Sequence, residues 1–100
     1  MFRIAERSEP RVVMIDDFLL EMAPEGRVLV LRNEDKPGVI GSVGMLLGSR
    51  GINVSRMQVG LAPARHEALQ LWNIDGELGE PMLEEIRRLP HVRAAQQVTL

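Results

Sequence analysis

The pattern of apolar and polar positions predicts six elements from Arg27 onward, in the order strand, helix, strand, strand, helix, strand. Residues 27–33 are apolar on both faces, which is typical of a central strand. Two right-handed crossovers in this order place both helices on one face of a four-stranded antiparallel sheet. The predicted fold class is therefore α+β, a ferredoxin-like βαββαβ plait. Its elements are expected near residues 27–33, 38–50, 52–61, 66–75, 81–89 and 92–100.

Residues 1–24 follow a different pattern. Two short apolar runs flank Asp16 and Asp17, which predicts a β-hairpin with a tight turn, and residues 1–10 are interpreted as a tail. Because an isolated hairpin is only marginally stable in water, this one must pack on something. A linker is expected at Pro24-Glu25-Gly26, so the chain divides into residues 1–24 and a domain of residues 25–100.

Three details of the predicted sheet stay open. The apolar parity of residues 52–61 changes, so either a bulge lies near Ser55 and Arg56 or pairing begins late. Gln70 falls in an otherwise apolar set, on the face expected to meet the helices. Leu69 and Leu71 lie on the opposite face, which a second copy of the chain or the N-terminal hairpin must cover.

Three glycines of the first helix, Gly41, Gly44 and Gly48, fall on one side of a helical wheel. Each one destabilises a helix interior by about 0.5–1 kcal/mol relative to alanine. Their presence indicates that this side of the helix is kept free of side chains so that another surface can pack closely against it. The favoured interpretation is packing against the second helix; the alternative is packing against another subunit. The spacing fits neither a dinucleotide fingerprint nor a phosphate-binding loop.

Composition removes several classes of function. The net charge is −2 and the bases are scattered, and with only three aromatic residues the chain is not expected to bind nucleic acid. No apolar run approaches the roughly 18 residues of a membrane span, so no membrane partner is expected. The absence of cysteine excludes disulfides and thiolate metal sites, agrees with a cytoplasmic location, and leaves no predicted metal site.

The loop between the first strand and the first helix is the candidate binding site. Pro37 suits the first helical position, and Gly38 allows another group to approach the backbone closely. The N–H groups that follow, at Val39, Ile40 and Gly41, have no partner within the helix and lie at the positive end of its dipole. This arrangement predicts a seat for a small anion such as a carboxylate.

Polar side chains stand beside that seat. Asn33 and Asp35 can accept hydrogen bonds from an ammonium or hydroxyl group, so a zwitterion would fit, although both could equally be turn formers. Asn53 follows the end of the helix and is typical of a turn amide. His66 and His91 have no metal-like spacing and are interpreted as surface or strand-end residues. No catalytic constellation is evident, so the chain alone is not expected to be an enzyme.

The chain from Arg27 to Leu100 resembles an ACT domain, a small regulatory module that senses amino acids. The resemblance is carried by Asn33-Glu34-Asp35-Lys36-Pro37-Gly38-Val39-Ile40-Gly41, by Leu46-Leu47-Gly48 and by Gly51-Ile52-Asn53-Val54. Further stretches are similar to the C-terminal region of bacterial D-3-phosphoglycerate dehydrogenases: Met57-Gln58-Val59-Gly60, Glu67-Ala68-Leu69 and, upstream, Arg11-Val12-Val13. Residues 11–24 resemble the last hairpin of the domain that precedes the ACT module in those enzymes.

The resemblance implies an effector, with L-serine as the first choice, bound between two ACT domains of a homodimer or higher oligomer. It implies that the effector carboxylate meets the helix-start N–H groups, that Asn33 and Asp35 contact its other polar groups, and that Asn53 reaches in from the partner subunit. Asn33 replaces a histidine or tyrosine of some serine-sensing members, which bears on serine affinity. NAD and the catalytic residues would belong to domains outside these residues, so no cofactor and no catalytic residue is expected here.

Two alternatives remain at this stage. The chain could be a free-standing dimerisation module that binds no ligand. It could instead be a small enzyme on the same plait, which would require a perturbed histidine or carboxylate in a pocket. Asp35 and His66 close together in a cleft would favour this alternative.

Overall fold

The structure is a computed structural model that describes residues 4–6, 13–15, 18–20, 26–62 and 66–99. From residue 27 onward the predicted order of strands and helices is confirmed. The elements are β1 Ile4–Glu6, β2 Val13–Ile15, β3 Phe18–Leu20, β4 Arg27–Glu34, α1 Val39–Ser49, β5 Asn53–Ala62, β6 Glu67–Asp75, α2 Glu80–Arg87 and β7 Val92–Thr99.

The larger sheet has the strand order β5-β6-β4-β7 with every neighbouring pair antiparallel, which confirms the ferredoxin-like plait. Strands β4 and β6 are central, and β5 and β7 are the edges. Both helices pack on one face, called here the helix side, because their buried residues form a single core with alternate residues of the strands. The fully buried members of that core are Leu29, Leu31, Val43, Leu47 and Ile86.

The opposite face, called here the outer side, is also buried. Val28, Val30, Leu69 and Leu71 are inaccessible to solvent within a single chain, although the helices lie on the other side. Strand β3 of the small β1-β2-β3 sheet lies against β5, so the N-terminal strands are placed to provide this cover. Of the two covers expected from the sequence, the position of β3 favours the hairpin, and which of the two covers Leu69 and Leu71 stays a prediction.

The N-terminal region departs from the prediction in one respect. Residues 4–6 are not a tail: β1 pairs antiparallel with β2, with Ile4 opposite Ile15. Three residues are too few to establish an alternation, which is why the pattern gave no signal. The hairpin strands β2 and β3 are confirmed, whereas the predicted turn at Asp16 and Asp17 and most of the predicted linker lie outside the described residues.

The edge strand β5 contains the predicted bulge. Val54 pairs with Ile74 and Arg56 pairs with Asn73, so Ser55 is the additional residue. Beyond the bulge, Met57 lies opposite Trp72 and Val59 opposite Gln70, all on the helix side. Two residues, Ser55 and Arg56, therefore separate the helix-side residues Val54 and Met57, where a regular strand would have one. The bulge thus explains the change of parity.

A second irregularity lies where β7 pairs with β4. The register between β4 and β7 shifts between Arg32 and Asn33, which pair with Ala94 and Val92 and leave Arg93 as the extra residue. Ala95, rather than Ala94, is therefore the alanine buried beneath the helices. Val92 nevertheless packs against the core.

The glycines of α1 are not explained by packing within the chain. A Cβ atom built on Gly41 or Gly48 would meet no atom within 4 Å, and one on Gly44 would make only an ordinary 3.9 Å contact with the Trp72 ring. None of these neighbours belongs to α2, so the favoured interpretation of packing against the second helix is wrong. The helix stability that these glycines cost relative to alanine is therefore not offset by contacts within one protomer.

Candidate functional site

The β4–α1 loop is anchored through its backbone to the strands on either side of β4. The Glu34 N–H donates to the carbonyl of His91, and the Asp35 N–H donates to that of His66, each at 2.9 Å. Both histidines have positive φ values, 54° for His66 and 69° for His91, which non-glycine residues adopt infrequently. The Lys36 N–H closes the turn on the Glu34 carbonyl at 2.8 Å. The loop is therefore held in one place by β6 and β7.

The start of α1 lies later than the sequence suggested. The helix begins at Val39, and Gly38 is its N-cap residue with φ 92°, so Pro37 precedes the helix instead of occupying its first position. A side chain at position 38 would be strained in this left-handed conformation. The first intrahelical bond runs from the Ser42 N–H to the Gly38 carbonyl at 2.9 Å.

The helix start is open to an external acceptor. The N–H groups of Val39, Ile40 and Gly41 precede the first intrahelical bond, no side chain caps the helix, and its first turn contains no acidic residue. The partial positive charge at this end is therefore not offset by the helix itself. Asp35, Pro37 and Gly38 are exposed beside it, Ile40 is exposed, and Val39 points into the core.

Asn33 lies differently from the other predicted site residues. Its side chain is only 2% exposed, on the helix side of β4, and it is the last member of a buried hydrogen-bonded chain. The Trp72 Nε1–H donates to Gln70 Oε1 at 2.9 Å, Gln70 Nε2 donates to Asn33 Oδ1 at 3.1 Å, and Asn33 Nδ2 donates to the Glu34 carbonyl at 2.8 Å. A direct contact from Asn33 to a ligand stays a prediction. In this conformation its side chain supports the loop from beneath.

The carboxylates on the outer side of the loop are engaged in ion pairs. Glu34 accepts from His91 Nδ1 at 2.7 Å and from Arg93 at 2.9 Å. The hydrogen bond from His91, with a smaller contribution from the charge of Arg93, holds the pKa of Glu34 below its usual value. Glu67 in turn pairs with Arg32 at 3.3 Å and with Arg93. Glu34 is thus occupied by its neighbours, whereas Asp35 projects into solvent beside the helix start.

Asn53 lies far from the loop within one protomer. It begins β5 opposite Asp75, and its Nδ2 donates to Asp75 Oδ2 at 3.1 Å. The loop is at the other end of the sheet, where Ala62 and Glu67 pair. At about 3.3 Å per residue, the length of β5 separates Asn53 from the loop by roughly 30 Å. The structure therefore does not bring Asn53 and Asp35 to one site within a single chain.

An apolar surface extends from α1 to the edge strand. We call it the α1–β5 surface and define it by Ile40, Gly41, Gly44, Gly48, Met57 and Val59. Its large members are 39–47% exposed, on the helix side of an edge strand that α1 leaves uncovered. Trp72 lies between its two halves, opposite Met57 and 3.9 Å from a Cβ position at Gly44. This surface begins at the first turn of α1, next to the open helix start.

The requirement for a small enzyme site is met only in part. A backbone bond makes Asp35 and His66 neighbours, but both side chains are exposed, and no hydrogen bond joins them in the described part of the chain. Across residues 26–62 and 66–99, no three His, Asp or Glu side chains converge closely enough to hold a metal ion. Neither described helix is long and apolar enough to cross a membrane.

Comparison with known proteins places the chain in a family. The model of the ACT domain matches residues 27–91. A D-3-phosphoglycerate dehydrogenase of Methanocaldococcus jannaschii is 31% identical over 93 residues, which are 93% of this chain and 18% of that protein. The enzyme of the same name from Synechocystis is 33% identical over 97% of this chain and 18% of its own length. That of Bacillus subtilis is 31% identical over 90% of this chain and 17% of its length.

The chain therefore belongs to the ACT domain family, a family of regulatory domains that bind amino acids and often form oligomers. Its relatives are D-3-phosphoglycerate dehydrogenases, which are oxidoreductases, and the resemblance to their regulatory region is confirmed. The chain spans less than one fifth of the length of these three relatives.

Proposed function

We propose that this chain is an amino-acid sensor whose effector is L-serine, and that it regulates a D-3-phosphoglycerate dehydrogenase by feedback on serine biosynthesis. One observation carries the proposal. A backbone-anchored loop presents the open N-terminus of α1 beside the exposed carboxylate of Asp35. A positive helix end and a negative side chain next to each other are complementary to an α-amino acid, which has a carboxylate and an ammonium group one carbon apart.

Each site residue has a stated role in this proposal. The effector carboxylate accepts from the N–H groups of Val39 and Ile40, and Gly38 leaves room for it to approach. Pro37 shapes the turn, and Asp35 accepts from the ammonium group. A direct contact by Asn33 would require its buried amide to turn out of the sheet, so we place its contribution in holding the loop.

A second protomer supplies the remaining contact. If edge strand β5 aligns antiparallel with β5 of another copy about a two-fold axis, each Asn53 end approaches the Ala62 end of its neighbour. That end of β5 adjoins the β4–α1 loop, so Asn53 of the partner subunit could reach the ligand that Asp35 of the first protomer binds. The α1–β5 surface would be covered in the same assembly, which gives the glycines of α1 a close neighbour.

Regulation follows if the effector binds one arrangement of the two protomers more tightly than another. Such a preference is typically worth about 1–3 kcal/mol, and it is reciprocal between the effector and a ligand of the regulated enzyme. We place NAD and the chemistry of the dehydrogenase outside these residues, in the enzyme that the sensor regulates. This chain supplies only the sensing half.

Calorimetric titration with L-serine tests the site. Wild type is expected to bind at or below millimolar ligand, and Asp35→Ala is expected to lose at least tenfold in affinity because the ammonium group loses its counter-charge. Glu84→Ala is the matched control, since it removes an exposed acid of α2, which packs near β7 on the edge away from β5. An absence of heat from wild type at millimolar serine, or an unchanged Asp35→Ala isotherm, contradicts the proposal.

Complementation tests whether each site is shared. Asp35→Ala and Asn53→Ala are each expected to bind weakly alone. In a mixed dimer of the two variants, one site carries both substitutions and the other carries neither. A one-to-one mixture that exchanges freely should therefore recover about a quarter of the wild-type sites. If the mixture binds no more than the separate variants, the site is not divided between protomers as proposed.

A dimerisation module without a ligand is the second candidate. It is favoured by the α1–β5 surface, which calls for a partner whether or not an effector binds. Sedimentation and calorimetry on the same sample distinguish the two, because this candidate predicts a dimer that produces no heat with serine.

A further inference from the structure

We propose that Gln70 is a positioning residue for the β4–α1 loop, acting through Asn33, and that it links this loop to the α1–β5 surface through Trp72. The inference rests on the proposed function for its ligand-binding consequence, but the link itself requires no ligand. Gln70 touches no part of the proposed ligand.

The chain of hydrogen bonds has a defined direction. Trp72 donates to Gln70, Gln70 donates to Asn33, and Asn33 donates to the Glu34 carbonyl, over three bonds of 2.8–3.1 Å. All three side chains are at least 96% buried. Buried amides that lose a partner are strongly disfavoured, so each one fixes the orientation of the next.

The acceptor end of this chain of hydrogen bonds, at the Glu34 carbonyl, lies where the loop turns. The Glu34 carbonyl that accepts from Asn33 also accepts the Lys36 N–H, the bond that closes the turn before Pro37 and Gly38. A shift of the Asn33 amide would therefore move a carbonyl to which the loop is tied. The residues that follow include Asp35 and the helix-start N–H groups, so their placement depends on the same carbonyl.

The donor end of this chain of hydrogen bonds, at Trp72, lies beneath the α1–β5 surface. Trp72 pairs with Met57, and its ring lies 3.9 Å from a Cβ built at Gly44, while Gln70 pairs with Val59. Any group that covers this surface presses on the side chains at which the chain of hydrogen bonds begins. An apolar residue at position 70 could fill the same space but would not transmit an orientation. This accounts for a glutamine among apolar neighbours.

The test replaces Gln70 with methionine, which has a similar volume and no amide. In Gln70→Met we expect the Lys36 amide to exchange with solvent about tenfold faster than in wild type, without added ligand, because the carbonyl it bonds to is no longer held. The indole N–H resonance of Trp72, the sole tryptophan, should shift because its acceptor is gone. Affinity for L-serine should fall about fivefold or more.

Gln97→Met is the matched control. Gln97 also projects from the helix side of the sheet and loses two hydrogen bonds, to the backbone of Leu78, but it lies at the end away from the loop. A general loss of stability would alter both variants alike, whereas positioning alters the loop only in Gln70→Met. Trp72→Phe, which deletes only the first donor, should give a smaller change at Lys36 in the same direction.

Two results overturn the inference: Lys36 exchange that is unchanged in a folded Gln70→Met, or an equal acceleration in Gln97→Met. If Gln70→Met does not fold, Trp72→Phe decides by the same exchange measurement. If wild type binds no serine, the proposed function fails by itself, and the ligand-free exchange still decides the role of Gln70.

Discussion

The two edges of the sheet present different surfaces to solvent. On the α2–β7 edge, α2 buries Met82, Leu83 and Ile86 and presents charge outward, with Arg87 bonded to Glu80 at 2.7 Å and to Glu84 at 2.6 Å. On the α1–β5 edge, α1 buries an equivalent stripe of Val39, Val43 and Leu47, but its outward residues are uncharged: glycines, serines and exposed apolar side chains.

This difference shows that a helix can bury its apolar stripe fully in its own core and still present a solvent-facing surface that lacks charge. The α2–β7 edge follows the usual pattern of a surface helix, an apolar stripe opposite a charged face. The α1–β5 edge keeps costly glycines that no atom of the chain requires. A helix of that kind is built for a neighbour, so the proposed partner is expected on the α1–β5 edge and not on the α2–β7 edge.

The largest effect should be the same on both edges, because both helices contribute equally to one core. Leu47→Ala on α1 and Ile86→Ala on α2 each remove a fully buried side chain, and each should lower the free energy of unfolding by about 2–5 kcal/mol. Urea unfolding measures both. Met45→Ala, at an exposed position of α1, is the control and should change stability by less than about 0.5 kcal/mol. If only one core variant is destabilised, the two helices do not share a core as described.

Self-association should separate the edges. Gly48→Glu places a charge on the α1–β5 surface at a position where a Cβ meets no atom within 4 Å, and we expect it to weaken the dimer at least a hundredfold. Ser42→Glu, exposed about 120° away around α1, should leave association unchanged. Sedimentation over a range of protein concentrations measures both. If both variants weaken the dimer equally, the partner does not bind specifically at the glycine flank of α1.

Alanine at Gly44 should act in opposite directions on the monomer and on the dimer. The extra methyl group makes only an ordinary contact with Trp72, so the helix should gain about 0.5–1 kcal/mol in unfolding free energy. Close approach of a partner would be obstructed, so the dimer should weaken. Unfolding at low protein concentration and sedimentation at high concentration test the two parts. If Gly44→Ala stabilises both the monomer and the dimer, a partner does not pack closely against Gly44.

The smallest expected effect concerns pH at the charged cluster between β4 and β7. The pKa of Glu34 is lower in the folded chain than its ordinary value of 4.5, chiefly through its hydrogen bond with His91. Its stabilising contribution is therefore complete above that pH and is lost as pH falls through the lowered pKa. Glu34→Gln should slightly reduce the loss of stability on acidification. Urea midpoints at about pH 6 and pH 3 compare this variant with wild type, and an equal fall of the midpoint in the two proteins would contradict the assignment.

Most of the fold could be predicted because its signals are local. The run of residues 27–33, the helical spacing after Gly38 and the break at Gly51 fixed the order of elements, and the parity change near Ser55 indicated the bulge. The bulge at Arg93 left no comparable signal, since alanine, arginine and glutamine tolerate either face. The start of α1 was misplaced because Pro37 also suits the turn that precedes a helix.

The site was less predictable because its geometry depends on distant partners. The loop motif identified Asp35 and the helix start, but the burial of Asn33 depends on Gln70, 37 residues further along the chain. The one available signal was the glutamine among apolar neighbours, and the sequence does not show which group it bonds to. Likewise, the anchoring of the loop depends on carbonyls of His66 and His91, which no periodicity reports.

One contact of Arg87 affects how far an assembly can grow. Besides its two glutamates, its Nε donates to the Ala95 carbonyl on edge strand β7 at 3.0 Å. The guanidinium covers this carbonyl on the open edge and obstructs the approach of an incoming strand there, so β7 is a poorer template for extending the sheet. If copies join through β5, both of those edges are consumed and the outermost strands are blunted, which favours a closed pair over a fibre.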